Sequence, residues 1–192
     1  DMARQRERFT ALAGREAVRA VSAFQLFQTP EAIADMMVRE AFIMDRMRIL
    51  EPSAGLGRIY RAIRHRTDAH VTLVEIAPQC AAELYRETQA DQQCSLIQDD
   101  FLQCDAERLG GLFDVIVMNP PFKNATDKKH IAKALTLLKP QGKIVSLCYA
   151  GPRQRAAFEN VNGWTWTQLD PGSFRSEGTG ADVAMITKVK ES

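Results

Sequence analysis

The stretch Ile49-Leu50-Glu51-Pro52-Ser53-Ala54-Gly55-Leu56-Gly57 carries an aliphatic run straight into a glycine-rich turn, and a helical pattern begins at Arg58. Small residues in such a turn let the backbone approach a ligand closely, and the helix beyond it offers unpaired N–H groups at its N-terminus. Glycine turns also join strands to helices for steric reasons alone, so the surrounding residues decide what this one is for. Working outward, strands are expected at Arg48 to Leu50, Val71 to Glu75, Ser95 to Gln98, Phe113 to Met118 and Lys143 to Cys148. Helices are expected between them at Arg58 to His65, Pro78 to Gln89 and Lys128 to Leu138, the last stopped by Lys139-Pro140-Gln141-Gly142 read as a turn. That alternation is the pattern of a parallel sheet covered on both faces. Further on, Trp164 to Leu169 and Val183 to Val189 fit an antiparallel pair joined by the Gly-rich stretch Pro171 to Gly180. Upstream, Arg4 to Phe24 carries apolar residues at helical spacing. Thr29-Pro30-Glu31 then reads as an N-cap, a proline at the first helical position and an acidic first turn.

The composition, 45% hydrophobic and 26% charged over 192 residues, is that of an ordinary globular protein. No uninterrupted apolar run is long enough to span a bilayer, so no membrane partner is expected. Arg4, Arg6, Glu7 and Arg8 stand ahead of Phe9 and leave no apolar signal core, which makes the cytoplasm the expected location. One domain is expected over 1–192, with N-terminal helices over 1–46 and an α/β core over 47–192. The four cysteines, Cys80, Cys94, Cys104 and Cys148, are scattered, and read as packed thiols rather than as disulfides or metal ligands. With 25 Lys plus Arg against 24 Asp plus Glu, the net charge of +1 gives no bulk attraction to nucleic acid. Any such surface must be local.

About twenty residues past the turn, the second strand ends in Leu73-Val74-Glu75, an offset at which Rossmann-like folds hydrogen-bond ribose hydroxyls. The third ends in Gln98-Asp99-Asp100-Phe101, which offers a carboxylate to a base amino group and a ring to its face. The fourth runs into Asn119-Pro120-Pro121-Phe122. Two consecutive prolines fix backbone torsions and remove two N–H donors, so the Pro120 carbonyl and the Asn119 side-chain oxygen can converge as acceptors. Such a pair suits an incoming –NH₂ group.

These motifs, in this order over Phe27 to Lys188, resemble the class I S-adenosylmethionine-dependent methyltransferases, and Asn119-Pro120-Pro121-Phe122 looks like the signature of the amino-methylating branch. The resemblance implies a Rossmann-like, mostly parallel seven-stranded sheet with a C-terminal antiparallel hairpin and helices on both faces. It implies S-adenosyl-L-methionine as cofactor, with Glu51, Pro52, Ser53, Ala54, Gly55 and Gly57 around its methionine end. Glu75 is implied at the ribose, and Ile76, Asp100 and Phe101 at the adenine, with Asp99 competing for the place of Asp100. Thr29-Pro30 is similar to that branch's upstream motif, which contacts the methionine carboxylate.

At the catalytic end, the resemblance implies that Asn119 and Pro120 hold the amino hydrogens while Pro121 stiffens the tip and Phe122 stacks on the base. The implied reaction is methylation of adenine N6 in DNA after the nucleotide is extruded from the duplex. Methylation of an adenine or guanine amino group in RNA, or of a protein glutamine, is the alternative, and a non-catalytic subunit that keeps the fold for binding or assembly is a third reading. Lys123, Lys128 and Lys129 are candidates to grip phosphates, or form a solvated loop and helix start. Arg153 and Arg155 are weaker candidates. Phe174, in Gly172-Ser173-Phe174-Arg175, is either a second wall of the base pocket or a hairpin-core aromatic. His130 reads as a framework residue of a first helical turn, and His65 and His70 as surface positions. The segment between Asp100 and Asn119 is short and the chain ends just after its last strand, so no separate target-recognition domain is expected. Specificity is then relaxed or supplied by a recognition subunit.

Overall fold

The computed structural model describes residues 28–192, so the lead helix expected over Arg4 to Phe24 lies outside the described residues. The glycine-turn strand, β1 (Arg48–Glu51), lies between β2 (His70–Glu75) and β4 (Phe113–Met118) and is parallel to both. Outside these, β3 (Cys94–Gln98) pairs with β2, and β5 (Leu138–Tyr149) pairs with β4, again in parallel. Antiparallel to β5 runs β7 (Val183–Val189), and β6 (Thr165–Gln168) closes the edge on β7. The order β3-β2-β1-β4-β5-β7-β6 makes one seven-stranded sheet, mostly parallel with a terminal antiparallel hairpin.

Among the described residues, five α-helices cover the sheet: α1 (Glu31–Ala41), α2 (Arg58–Arg64), α3 (Pro78–Thr88), α4 (Thr126–Leu137) and α5 (Pro152–Phe158). Strand alternation in β4 shows how both faces are used. Val115 and Val117 pack in a cluster with Met37 and Val38 of α1 and Ile59 and Ile63 of α2. Ile116 and Met118 pack in a second cluster with Ile131, Ala134 and Leu137 of α4. The chain winds outward from β1 on one side and returns on the other at β4. The strand order therefore reverses between these two neighbours, and their carboxyl ends open a crevice there.

Three local expectations are corrected. Pro30, not Thr29, occupies the cap of α1, with φ −54° and ψ 142° and no side-chain cap bond; Thr29 is instead turned inward and only 5% exposed. Lys139-Pro140-Gln141-Gly142 is not a free turn after the helix but an irregular entry into β5, because pairing jumps from Phe113↔Leu138 to Val115↔Lys143 and leaves these residues looped out. Gln141 takes φ 62° there, and a Cβ on Gly142 would lie 2.9 Å from the Lys139 carbonyl. Finally, α5 was not expected. It is seven residues long and opens with Pro152 at its first turn, a favourable place for proline.

Candidate active site

A cavity of about 720 Å³ lies at the β1/β4 crevice. Its wall includes Thr29, the turn residues Glu51 to Gly55, Glu75 and Ile76 after β2, Asp100 and Phe101 after β3, and Asn119 to Lys123 after β4. Motifs far apart in the chain thus meet because each sits at the carboxyl end of a parallel strand. Gly57 and Phe174 are among the sequence candidates that do not line it. Gly57, at φ 81°, caps α2 and donates its N–H to the Ala54 carbonyl; a Cβ there would lie 2.9 Å from Leu84 Cδ2, so its role is to make the turn. Phe174 is 1% exposed and packs in the core cluster that also holds Leu169 and Met185.

Two carboxylates shape the turn. Glu75, 3% exposed, accepts from the Gly55 N–H at 2.7 Å on one oxygen and from the Ala77 N–H at 2.7 Å on the other. Its side chain therefore holds the glycine turn against the end of β2. Burial pushes its carboxyl above the ordinary range, and the N–H groups of Ala77, Gly55 and Ile76 pull it back. Glu51 is 1% exposed, and its Oε2 has no hydrogen-bond partner. Burial first and the neighbouring Glu75 second raise its carboxyl well above the usual value, while the Tyr60 N–H and Arg61 act in the opposite direction. A buried carboxylate oxygen without a partner is costly, and a bound cation or N–H donor would relieve it.

After β3 the two aspartates have separate tasks. Asp99 Oδ2 accepts from Arg108 Nε at 3.0 Å and forms an ion pair with its Nη2 at 2.9 Å, and its Oδ1 accepts the Asp100 N–H. Asp100 Oδ1 accepts the Leu102 N–H at 3.0 Å. Asp99 is therefore held by an arginine, whereas Asp100 spends one oxygen on a turn, and both line the cavity.

At the tip of β4, Asn119 Nδ2 donates to Thr29 Oγ1 at 3.0 Å. This bond connects the upstream Thr29-Pro30 motif to the proline tip, a relation that sequence spacing does not reveal. Immediately beyond Phe122, Asn124 and Ala125 both sit at positive φ, 56° and 57°, a conformation disfavoured for side chains with a Cβ. Strain of this kind gathers beside ligand sites.

Among the basic candidates, Lys123 reaches the cavity wall. Lys128 and Lys129 do not line it, and Lys129 is exposed. Arg155 is occupied elsewhere, paired with Glu159, donating to Gln168 and stacked over Trp166. The wall also holds residues not proposed from the sequence, among them Arg58, Ile59, Ala77, Leu102, Thr126 and His130. His130, read as framework, is 8% exposed, and burial depresses the basicity of its ring.

A Rossmann-like sheet of this order, with a cavity at its switch point walled by the glycine turn and by acids after β2 and β3, defines a class I methyltransferase fold. The family model for the methyltransferase small domain matches residues 32–163. The chain belongs to that family, and it is a methyltransferase whose expected cofactor is S-adenosylmethionine.

Among solved structures, a putative RNA methyltransferase from Pyrococcus horikoshii is similar over 98% of this chain and 100% of its own, at 16% identity and TM-score 0.70. A type I restriction-modification methyltransferase subunit from Streptococcus thermophilus is similar over 86% of this chain and 45% of its own, at 17% identity and TM-score 0.70. A putative class I S-adenosylmethionine-dependent methyltransferase from Listeria monocytogenes is similar over 100% of this chain and 67% of its own, at 13% identity and TM-score 0.65. At these identities the likeness is one of fold. No curated protein sequence matches the chain.

The residues present suit the expected cofactor. The partnerless Oε2 of Glu51 would accept from its ammonium, and Asp100 with Phe101 would offer a carboxylate and an aromatic ring to its purine.

Proposed function

We propose that the protein methylates the exocyclic amino group of adenine, N6, in DNA, with relaxed or partner-supplied specificity. The observation that carries this reading is the Asn119–Thr29 bond within the cavity that also holds the glycine turn. With Nδ2 tied to Thr29, Asn119 Oδ1 and the Pro120 carbonyl supply two acceptors for the two hydrogens of a planar amine.

An aromatic amine delocalises its lone pair into the ring and is a poor nucleophile until its hydrogens are held and its nitrogen turned toward tetrahedral geometry. Phe122 lines the same wall and stacks on the base, which aims the nitrogen and raises its effective concentration. When bound, S-adenosylmethionine would supply an electrophilic methyl carbon on sulfonium; Asn119 and Pro120 would hold the amine facing it, and the proton shed on transfer would pass to water. No residue of tuned basicity is needed, and the contribution of the protein is geometry and polarisation. Lys123 meets a flanking phosphate.

A second reading, amino-group methylation in structured RNA, is favoured by the putative RNA methyltransferase that is similar over nearly the whole chain. Methylation of a protein glutamine uses the same acceptor pair. Incubation with cofactor labelled in the methyl group and, separately, unmethylated DNA, ribosomal RNA and a release-factor-like protein decides among them. Label recovered as N6-methyladenine from DNA supports the proposal. Label confined to RNA or protein overturns it.

A further inference from the structure

His130 projects from the second turn of α4 into the cavity wall. Its Nδ1 lies 3.0 Å from the Thr126 carbonyl oxygen. A carbonyl can only accept, so Nδ1 carries the proton, and in a neutral ring Nε2 is left with a lone pair. The same imidazole lies 5.7 Å from the Phe101 ring, centroid to centroid, with a 34° tilt. Phe101 follows Asp100, whose Oδ1 is engaged by the Leu102 N–H. One end of the cavity therefore combines an aromatic surface, a carboxylate and an imidazole with a fixed tautomer. Two acceptors beside an apolar face match a purine whose amino group carries two hydrogens, and they mismatch a purine with a carbonyl there.

We propose that His130 is a purine-reading residue of the cofactor site, its Nε2 accepting one hydrogen of the 6-amino group while Asp100 accepts the other. This rests on the reading of the cavity as an S-adenosylmethionine site and assigns within it a residue that the motifs leave out. Burial, which disfavours the charged ring, keeps the acceptor available, against the opposing pull of the Thr126 carbonyl first and of Asp100 and Asp127 after it.

The test is calorimetric binding of S-adenosylhomocysteine and its deaminated analogue S-inosylhomocysteine to the wild-type protein, His130→Phe and His130→Gln. The wild type should prefer the amino form. His130→Phe keeps a ring against Phe101 but loses the acceptor, and should weaken S-adenosylhomocysteine about three- to tenfold, the range of one buried hydrogen bond, with the inosyl form unchanged. His130→Gln, with an amide oxygen, should recover part of the preference. Equal loss for both analogues, or no loss for either, overturns the proposal and leaves His130 a packing residue. Nitrogen spectra of ¹⁵N-histidine-labelled wild type test it without substitution: the Nε2 resonance should move on adding the adenosyl form and not the inosyl form. A wild type that binds neither analogue refutes the cofactor reading, and this proposal with it.

Discussion

Thr29→Val isolates the contact proposed to orient the Asn119 amide. The two side chains have nearly the same shape, and Thr29 is 5% exposed, so the change removes one hydroxyl and little packing. What is lost is the 3.0 Å acceptor of Asn119 Nδ2. A neutral buried hydrogen bond contributes about 0.5–1.5 kcal/mol, and a polar group stripped of its partner costs about 1–3 kcal/mol. If that energy is what holds Asn119 Oδ1 toward the substrate, it appears in the barrier. At about 1.4 kcal/mol per factor of ten, kcat falls roughly ten- to hundredfold. The measurement is single-turnover methylation at saturating cofactor and nucleic acid, beside calorimetric binding of S-adenosylhomocysteine. A large fall in rate with cofactor affinity within about twofold is expected. Weakened cofactor binding with the saturated rate intact would mean that Thr29 serves the methionine carboxylate only and that Asn119 is oriented by something else.

Other outcomes follow from the same contacts. Burial keeps Glu51 protonated above the ordinary carboxylate range, and a cationic amino group bound beside it favours the ionised form. Cofactor affinity should therefore rise with pH from that range upward and level off once Glu51 is ionised in the free protein; Glu51→Gln should flatten the rise, as calorimetry over a pH series will show. Asp127 is wholly buried and accepts from the Lys128 N–H, the Tyr149 N–H and Gln154 Nε2, which ties α4 to the end of β5 and to α5. Asp127→Ala should cost about 3 kcal/mol and lower the melting temperature by about 6–12 °C. Phe174→Ala should cost about 3–5 kcal/mol by chemical denaturation, the range for a buried aromatic. The gentler Phe174→Leu should leave the KM for nucleic acid unchanged, and a large rise in that KM would place Phe174 at the substrate pocket.

The sequence made the sheet legible because β-branched runs and glycine turns are local signals. Phe113–Met118 is found with the expected bounds, and β2 gains only His70. It misplaced Lys139 to Gly142 because a looped-out strand entry and a helix-stop turn use the same proline and glycine; the pairing of Leu138 with Phe113, which separates them, is a long-range contact. Helix α5 was hidden by its length and by the absence of a repeating apolar stripe in Pro152–Phe158.

At the site, residues at strand ends were readable from motif and offset. His130 was not, because it lies one helix beyond the motif and reaches the cavity only through the packing of α4 beside Phe101. Thr29 illustrates the complementary case: its place at a helix entrance was legible, but its partner ninety positions away was not. Phe174 shows a loop aromatic packing in the core when the loop folds back on the sheet.

The most direct test of the central claim is a crystal structure with sinefungin, whose amine stands where the cofactor's transferable methyl would be. The distances to read are those from that amine to Asn119 Oδ1 and to the Pro120 carbonyl oxygen. The account predicts both at about 3–4 Å, the span of a near-attack contact, with the ligand's purine beside Asp100 and Phe101. An amine pointing away from the tip of β4, or a ligand seated with its purine against Asn119, would contradict it.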